Sequence, residues 1–160
     1  MKNKEFNVTQ GMALLLLKPL NLPANYVLNL IEPLGFKLED KYLKRAGLDY
    51  WPLVTVNRYE NFNKFLSSKP KKRIISFSKK NGIYLKDFKF QEDDVLLFGR
   101  EDSGLPDSII DKSDFLISIF MPNIQTGNND QKGVRSLNLS VACGIAIYEA
   151  HKQINFQNGN

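Results

Sequence analysis

Cysteine and histidine are almost missing from this sequence: Cys143 and His151 stand alone among 160 residues. A single cysteine excludes an internal disulfide and accords with a reducing compartment, so a cytoplasmic protein is expected. One histidine and one cysteine are poor material for a metal site, and no metal is expected. Long apolar runs are missing too. The run at residues 12–17 is far too short to span a bilayer, and no small-residue cleavage site follows it. Neither membrane insertion nor a signal peptide is therefore expected. There is no internal repeat, no domain linker, no G-x-G-x-x-G fingerprint and no P-loop.

What is present is ordinary for a soluble globular chain: 42% apolar and 24% charged residues, with a net charge of +5. The length suits one domain over residues 1–160, with residues 1–11 read as a loose polar tail. The positive charge permits nucleic-acid binding without establishing it.

Short apolar runs mark the strands. Residues 13–17, 27–31, 53–56, 73–78, 94–98 and 115–120 read as strands, several of them continuously apolar, as strands buried on both faces are. Residues 39–46 read as a helix closed by Gly47, and residues 59–66 as a second, with Tyr59, Phe62 and Phe65 at helical spacing. Pro106 suits a helix first turn over residues 106–110. Residues 138–153 read as a long helix with Leu139, Ala142, Cys143, Ala146 and Ala150 on one face. Strands alternating with helices predict an α/β fold with a mostly parallel sheet flanked by helices.

Two basic clusters stand out. Lys69, Lys71, Lys72 and Arg73 precede a strand, and Lys41, Lys44 and Arg45 share a helix face by their spacing. Each fits a solvated surface or a phosphate contact. Trp51 could stack on a base, although packing is its commoner role. Cys143 reads as a small core residue and His151 as a helix-end surface residue.

Two segments carry more chemistry. The first is Leu97-Phe98-Gly99-Arg100-Glu101-Asp102-Ser103-Gly104-Leu105-Pro106. There a strand enters a loop with two glycines and leaves as a helix, a place where ligands meet parallel sheets. An ordinary strand-to-helix turn accounts for the same residues. The second is Arg135-Ser136-Leu137-Asn138-Leu139-Ser140, where Ser136 or Asn138 suits an N-cap and the helix start suits an anion.

Taken together, the Gly-Arg-Glu-x-x-Gly-Leu-Pro element, the strand ending at Met121, and Arg-Ser-Leu-Asn-Leu-Ser resemble the SpoU/TrmH branch of the SPOUT RNA 2′-O-methyltransferases. Leu30-Ile31-Glu32-Pro33-Leu34-Gly35-Phe36 and Lys44-Arg45-Ala46-Gly47-Leu48-Asp49-Tyr50 are similar to the small enzymes of that branch that methylate the wobble ribose of tRNA. The resemblance covers about residues 28–153. It implies a SPOUT-type α/β knot, with the C-terminal half threaded as a trefoil, and a homodimer. It implies an S-adenosylmethionine site at Phe77, Gly99, Ile119, Ser136 and Leu137, with Met121 as a further apolar wall. Glu101 and Asn138 would border the reacting ribose, and Lys44, Arg45, Arg100 and Arg135 would contact tRNA.

The chain departs from the family pattern after Pro19. The Thr-Gly-Asn element and the helix bearing a substrate-side arginine have no counterpart by position, which leaves the catalytic residue unknown. Residues 19–27 are also too short for the crossover helix that would join strands at 13–17 and 27–31. Residues 122–134 are polar and longer than the family loop, as a surface insertion or a lid would be. Three readings therefore stand: a tRNA wobble 2′-O-methyltransferase, a non-catalytic RNA- or cofactor-binding remnant of the fold, or a 2′-O-methyltransferase of another tRNA position or of rRNA.

Overall fold

The computed structural model describes residues 4–9, 26–33, 55–68, 71–79, 81–100, 103–121 and 136–156; for 4–9, 26, 155 and 156 it describes the backbone alone. Seven strands form one sheet: β1 (Lys4–Thr9), β2 (Tyr26–Ile31), β3 (Thr55–Tyr59), β4 (Ile74–Phe77), β5 (Ile83–Tyr84), β6 (Val95–Phe98) and β7 (Phe115–Ser118). Their order across the sheet is β3-β2-β1-β6-β4-β7-β5, and every named pairing is parallel. All the strands therefore end on the same edge. Three helices are described: α1 (Phe62–Ser68), the single turn α2 (Asp107–Ile110) and α3 (Leu139–Phe156).

The two-residue period of a strand divides the apolar runs between two cores. Ile75, Phe77, Leu96 and Phe98 face one side with Leu28 and Leu30, where α3 lays down Leu139, Cys143, Ala146, Ile147 and Ala150. Ile74, Val95 and Leu97 face the other, against Phe62 and Phe65 of α1 and against Leu105. This is why β4 and β6 read as unbroken apolar runs: all four residues of each are buried. Small residues at 143, 146 and 150 let α3 approach the sheet closely. Gln153 then fastens its far end: it accepts from Phe90 N–H at 3.0 Å and donates to the Phe88 carbonyl at 3.0 Å. On the opposite face Asn57 Nδ2 donates to the fully buried Asn29 Oδ1 at 3.0 Å, and Asn29 Nδ2 has no partner among the described residues.

Two expectations change. The opening residues, read as a loose tail, hold β1, which lies inside the sheet between β2 and β6. The connection from β1 to β2 is therefore residues 10–25, sixteen residues, a length that suffices for a parallel crossover, and the short connection expected at residues 19–27 lies outside the described residues. The strand expected at 13–17 lies outside the described residues, as does the helix at 39–46 with its basic face. The helix expected from Tyr59 begins at Phe62 instead. Asn61 caps it, its Oδ1 accepting from Lys64 N–H at 2.9 Å, while Tyr59 belongs to β3 and meets Phe65 ring to ring at 5.2 Å. The short β5 and the 3₁₀ turn Leu85–Asp87 were not expected. The remaining strands and α3 lie within a few residues of their predicted places.

Candidate functional site

Parallel strands leave their C-terminal ends as a common rim, and a concavity sits there. Phe77 and Phe98, the last residues of β4 and β6, stack at 4.5 Å with an angle of 8° between the rings. Above them opens a pocket of about 330 Å³. Its walls include Phe77, Gly99, Ile119, Ser136 and Leu137, so the structure gathers all five positions expected around a cofactor into one cavity. Met121 lines it as well.

The loop after β6 is shaped by backbone contact. Arg100 N–H donates to the Gly104 carbonyl at 3.1 Å, and Gly104 N–H returns to the Arg100 carbonyl at 2.9 Å. A Cβ on Gly99 would lie 2.1 Å from the Gly104 carbonyl carbon and 2.3 Å from the Leu105 nitrogen. No side chain fits, so only glycine lets the strand end pass against this loop. Gly104 has φ +71°, which a residue with a Cβ reaches at a cost of about 1–2 kcal/mol. Pro106 then precedes α2, and Asp107 stands at the pocket wall.

Asn138 caps α3. Its Oδ1 accepts from Ser140 N–H at 2.9 Å and from the Ser140 hydroxyl, and its carbonyl accepts from Ala142 N–H at 3.0 Å. This holds the preceding Ser136 and Leu137 at the strand rim. Arg100 is exposed and borders the pocket. Glu101, Lys44, Arg45 and Arg135 lie outside the described residues.

Several wall residues were not picked out from sequence: Ser78, Lys79, Asn81 and Leu116 among them. Ser78 directly follows Phe77, so the end of an apolar run was the available signal. Leu116 carried none.

Other titratable groups serve the frame. Arg73 grips Asp94 through Nε and Nη2, both at 2.8 Å, under the rings of Phe88 and Phe115. The Asp94 hydrogen bond holds its pKa above the ordinary value. It stands at the opposite, N-terminal edge of β4, so of the two readings of the basic run neither describes Arg73. Cys143 is fully buried, and burial pushes its thiol well up, which keeps it neutral. Among the described residues no cluster of histidine, cysteine, aspartate or glutamate could hold a metal ion, and no helix is long and apolar enough to cross a membrane.

Comparison with known proteins places this geometry. Residues 25–148 match the SpoU rRNA Methylase family. A curated tRNA (cytidine(34)-2′-O)-methyltransferase from Aeromonas hydrophila is 37% identical over 131 residues, covering 82% of this chain and 80% of that protein. A structure solved to address the 2-OH methylation of C/U34 on tRNA is 34% identical with a TM-score of 0.74, covering 98% of this chain and 99% of that one. An AdoMet-bound rRNA methyltransferase from Sinorhizobium meliloti, 17% identical, shares the fold at a TM-score of 0.69 over 94% of this chain and 56% of its own.

Proposed function

The chain belongs to the SpoU methylase family, and from that premise we propose that it is a tRNA (cytidine/uridine-2′-O)-methyltransferase acting at nucleotide 34 with S-adenosylmethionine. The observation that carries the reading is the pocket at the tips of β4, β6 and β7, closed by the start of α3. It occurs in a chain matched over about four-fifths of its length by a C34 methyltransferase.

The residues present fit the cofactor. A volume of about 330 Å³ falls at the lower end of small-molecule sites. Phe77, Phe98, Ile119 and Leu137 offer apolar walls for an adenine ring, while Lys79 and Asp107 offer opposite charges for a zwitterionic end. When bound, S-adenosylmethionine supplies an electrophilic sulfonium methyl. The chain's part is to place a ribose hydroxyl in line with it, since orientation is the main aid such a transfer needs. The capped start of α3 and the bridged 100–104 loop fix two walls of that approach. Apolar Ile119 and Met121 limit water in the cavity. Arg100, with Lys44, Arg45 and Arg135, supplies cations for the RNA backbone. Asn138 holds the helix start, and Glu101 remains its companion candidate beside the ribose.

The finer fold reading is a trefoil knot in the C-terminal half. It is supported by β4 lying between β6 and β7 and by the return of the chain at residues 136–139 to the rim it left after β7. A homodimer is supported by an exposed apolar cluster of Tyr84, Phe120, Ile145 and Tyr148. Cytoplasmic placement follows from the tRNA substrate.

A second reading, a binding remnant without turnover, is favoured by one observation: residues 10–25, between β1 and β2, contain no arginine. Methyl transfer from labelled S-adenosylmethionine to unmodified tRNA, with cofactor affinity read on the same sample, separates the two. Transfer supports the enzyme. Cofactor binding without transfer supports the remnant.

A further inference from the structure

Arg58 occupies a place that the cofactor pocket does not use. It is the last residue but one of β3. In register, Arg58 pairs with Leu30, Leu30 with Val8, and Val8 with Phe98. Paired residues on neighbouring strands share a face, so Arg58 and Phe98 belong to one cross-strand row on the α3 side of the sheet. Phe98 is a wall of the pocket. Three interstrand steps put the two backbones roughly 14 Å apart, and the sheet between them makes that distance rigid.

The Arg58 side chain is 61% exposed, and Glu32, just beyond the end of β2, holds it. Glu32 Oε1 accepts from Arg58 Nε at 3.1 Å and also from Nη2. Glu32 N–H donates to the Tyr59 carbonyl at 2.8 Å, which fixes the clamp's backbone to β3. Of the five guanidinium N–H groups, the Nε and Nη2 edge meets the carboxylate in described contacts, and the Nη1 end of this mostly exposed side chain lies outside that pair. Strand cohesion does not call for this pair. An exposed ion pair contributes about 0–1 kcal/mol, and β2 and β3 already pair over five positions. Arg73 shows the contrasting use, gripped through both carboxylate oxygens of Asp94 and covered by two rings. Oriented, exposed guanidinium forks match phosphate.

We propose that Arg58, oriented by Glu32, anchors the phosphate backbone of the RNA substrate at a fixed distance of roughly 14 Å from the pocket. This rests on the tRNA reading above. Arg58 is a binding residue and Glu32 a positioning residue; neither touches the reacting atoms.

The test measures binding of an unmodified tRNA transcript across a salt series for the wild type, Arg58→Ala and Arg58→Lys, with S-adenosylmethionine affinity, thermal midpoint and steady-state transfer alongside. Arg58→Ala is expected to weaken tRNA binding about five- to tenfold and to reduce the salt slope by about one. The KM for tRNA rises by the same factor, while kcat and cofactor affinity hold. Arg58→Lys keeps the slope and loses about two- to threefold, because the charge remains and the fork is gone. Unchanged tRNA affinity and slope in Arg58→Ala overturn the proposal, and a lowered thermal midpoint alone would make the pair a mere strut. Binding is read without turnover. A wild type that binds tRNA without methylating it therefore sinks the methyl-transfer reading and leaves this one to be decided by the variants; a wild type that binds no tRNA sinks both.

Discussion

Gly99→Ala is the sharpest probe of how the pocket is built. The added Cβ would sit 2.1 Å from the Gly104 carbonyl carbon, against an ordinary contact limit of 3.4 Å, a deficit of 1.3 Å. The atoms in the way are backbone, so no rotamer relieves the clash. Two hydrogen bonds tie Arg100 to Gly104, so that the loop ends move together or break that bridge. Overpacking of this kind costs about 1–3 kcal/mol, and a displacement of about 1 Å at a reacting site costs on the order of 100-fold in rate. The variant should therefore lose at least about tenfold in S-adenosylmethionine affinity, or about 1.4 kcal/mol. Calorimetric titration reads this, with circular dichroism to establish that the sheet persists. A Gly99→Ala protein with wild-type cofactor affinity and thermal midpoint would refute the close backbone approach and the pocket drawn from it.

Gln153→Leu should destabilise the fold by about 2–4 kcal/mol, because it strands the buried Phe90 N–H and Phe88 carbonyl; denaturant unfolding checks this. Cys143 should resist thiol reagents in the native protein and react only on unfolding, since its sulfur is fully buried and its thiol held neutral; a colorimetric thiol titration with and without denaturant decides it. Lys152 first and then Gln153 lower the Glu149 pKa from its ordinary 4.5 through hydrogen bonds. Its stabilisation is therefore complete above that value and lost as pH falls through the lowered one, and Glu149→Gln should flatten stability in that acidic window. If the proposed homodimer forms through this cluster of exposed apolar residues, Phe120→Asp should shift the protein to monomer in sedimentation, because Phe120 is 64% exposed there.

The legible parts of the fold were those whose physics is local. Val95–Phe98 and Ile74–Phe77 announced themselves because burial on both faces demands unbroken apolarity. Ser136 or Asn138 announced a helix start because either side chain can take a free N–H, and Asn138 is the one that does. β1 was illegible for the opposite reason: Lys4–Thr9 mixes Lys, Glu, Asn and Thr with Phe6 and Val8, and only its neighbours β2 and β6 place it within the sheet. Tyr59 misled because a real contact with Phe65 mimics helical spacing while arising from a strand. At the pocket, Phe77, Gly99, Ile119, Ser136 and Leu137 came from a family resemblance. Lys79, Asn81 and Leu116 depend on how three strand tips converge, which no local pattern encodes. The Arg58–Glu32 clamp joins residues 26 apart in sequence and needed the β2–β3 register to be seen.

The central claim is that this pocket delivers a methyl group to one ribose hydroxyl. The most direct measurement incubates the protein with S-adenosylmethionine and two tRNA transcripts, one unaltered and one with a 2′-deoxyribose at nucleotide 34, and maps the product by mass spectrometry. A single ribose methyl at nucleotide 34 of the first, and none in the second, is the predicted result. Methylation elsewhere, equal methylation of both, or cofactor binding without any transfer would contradict it.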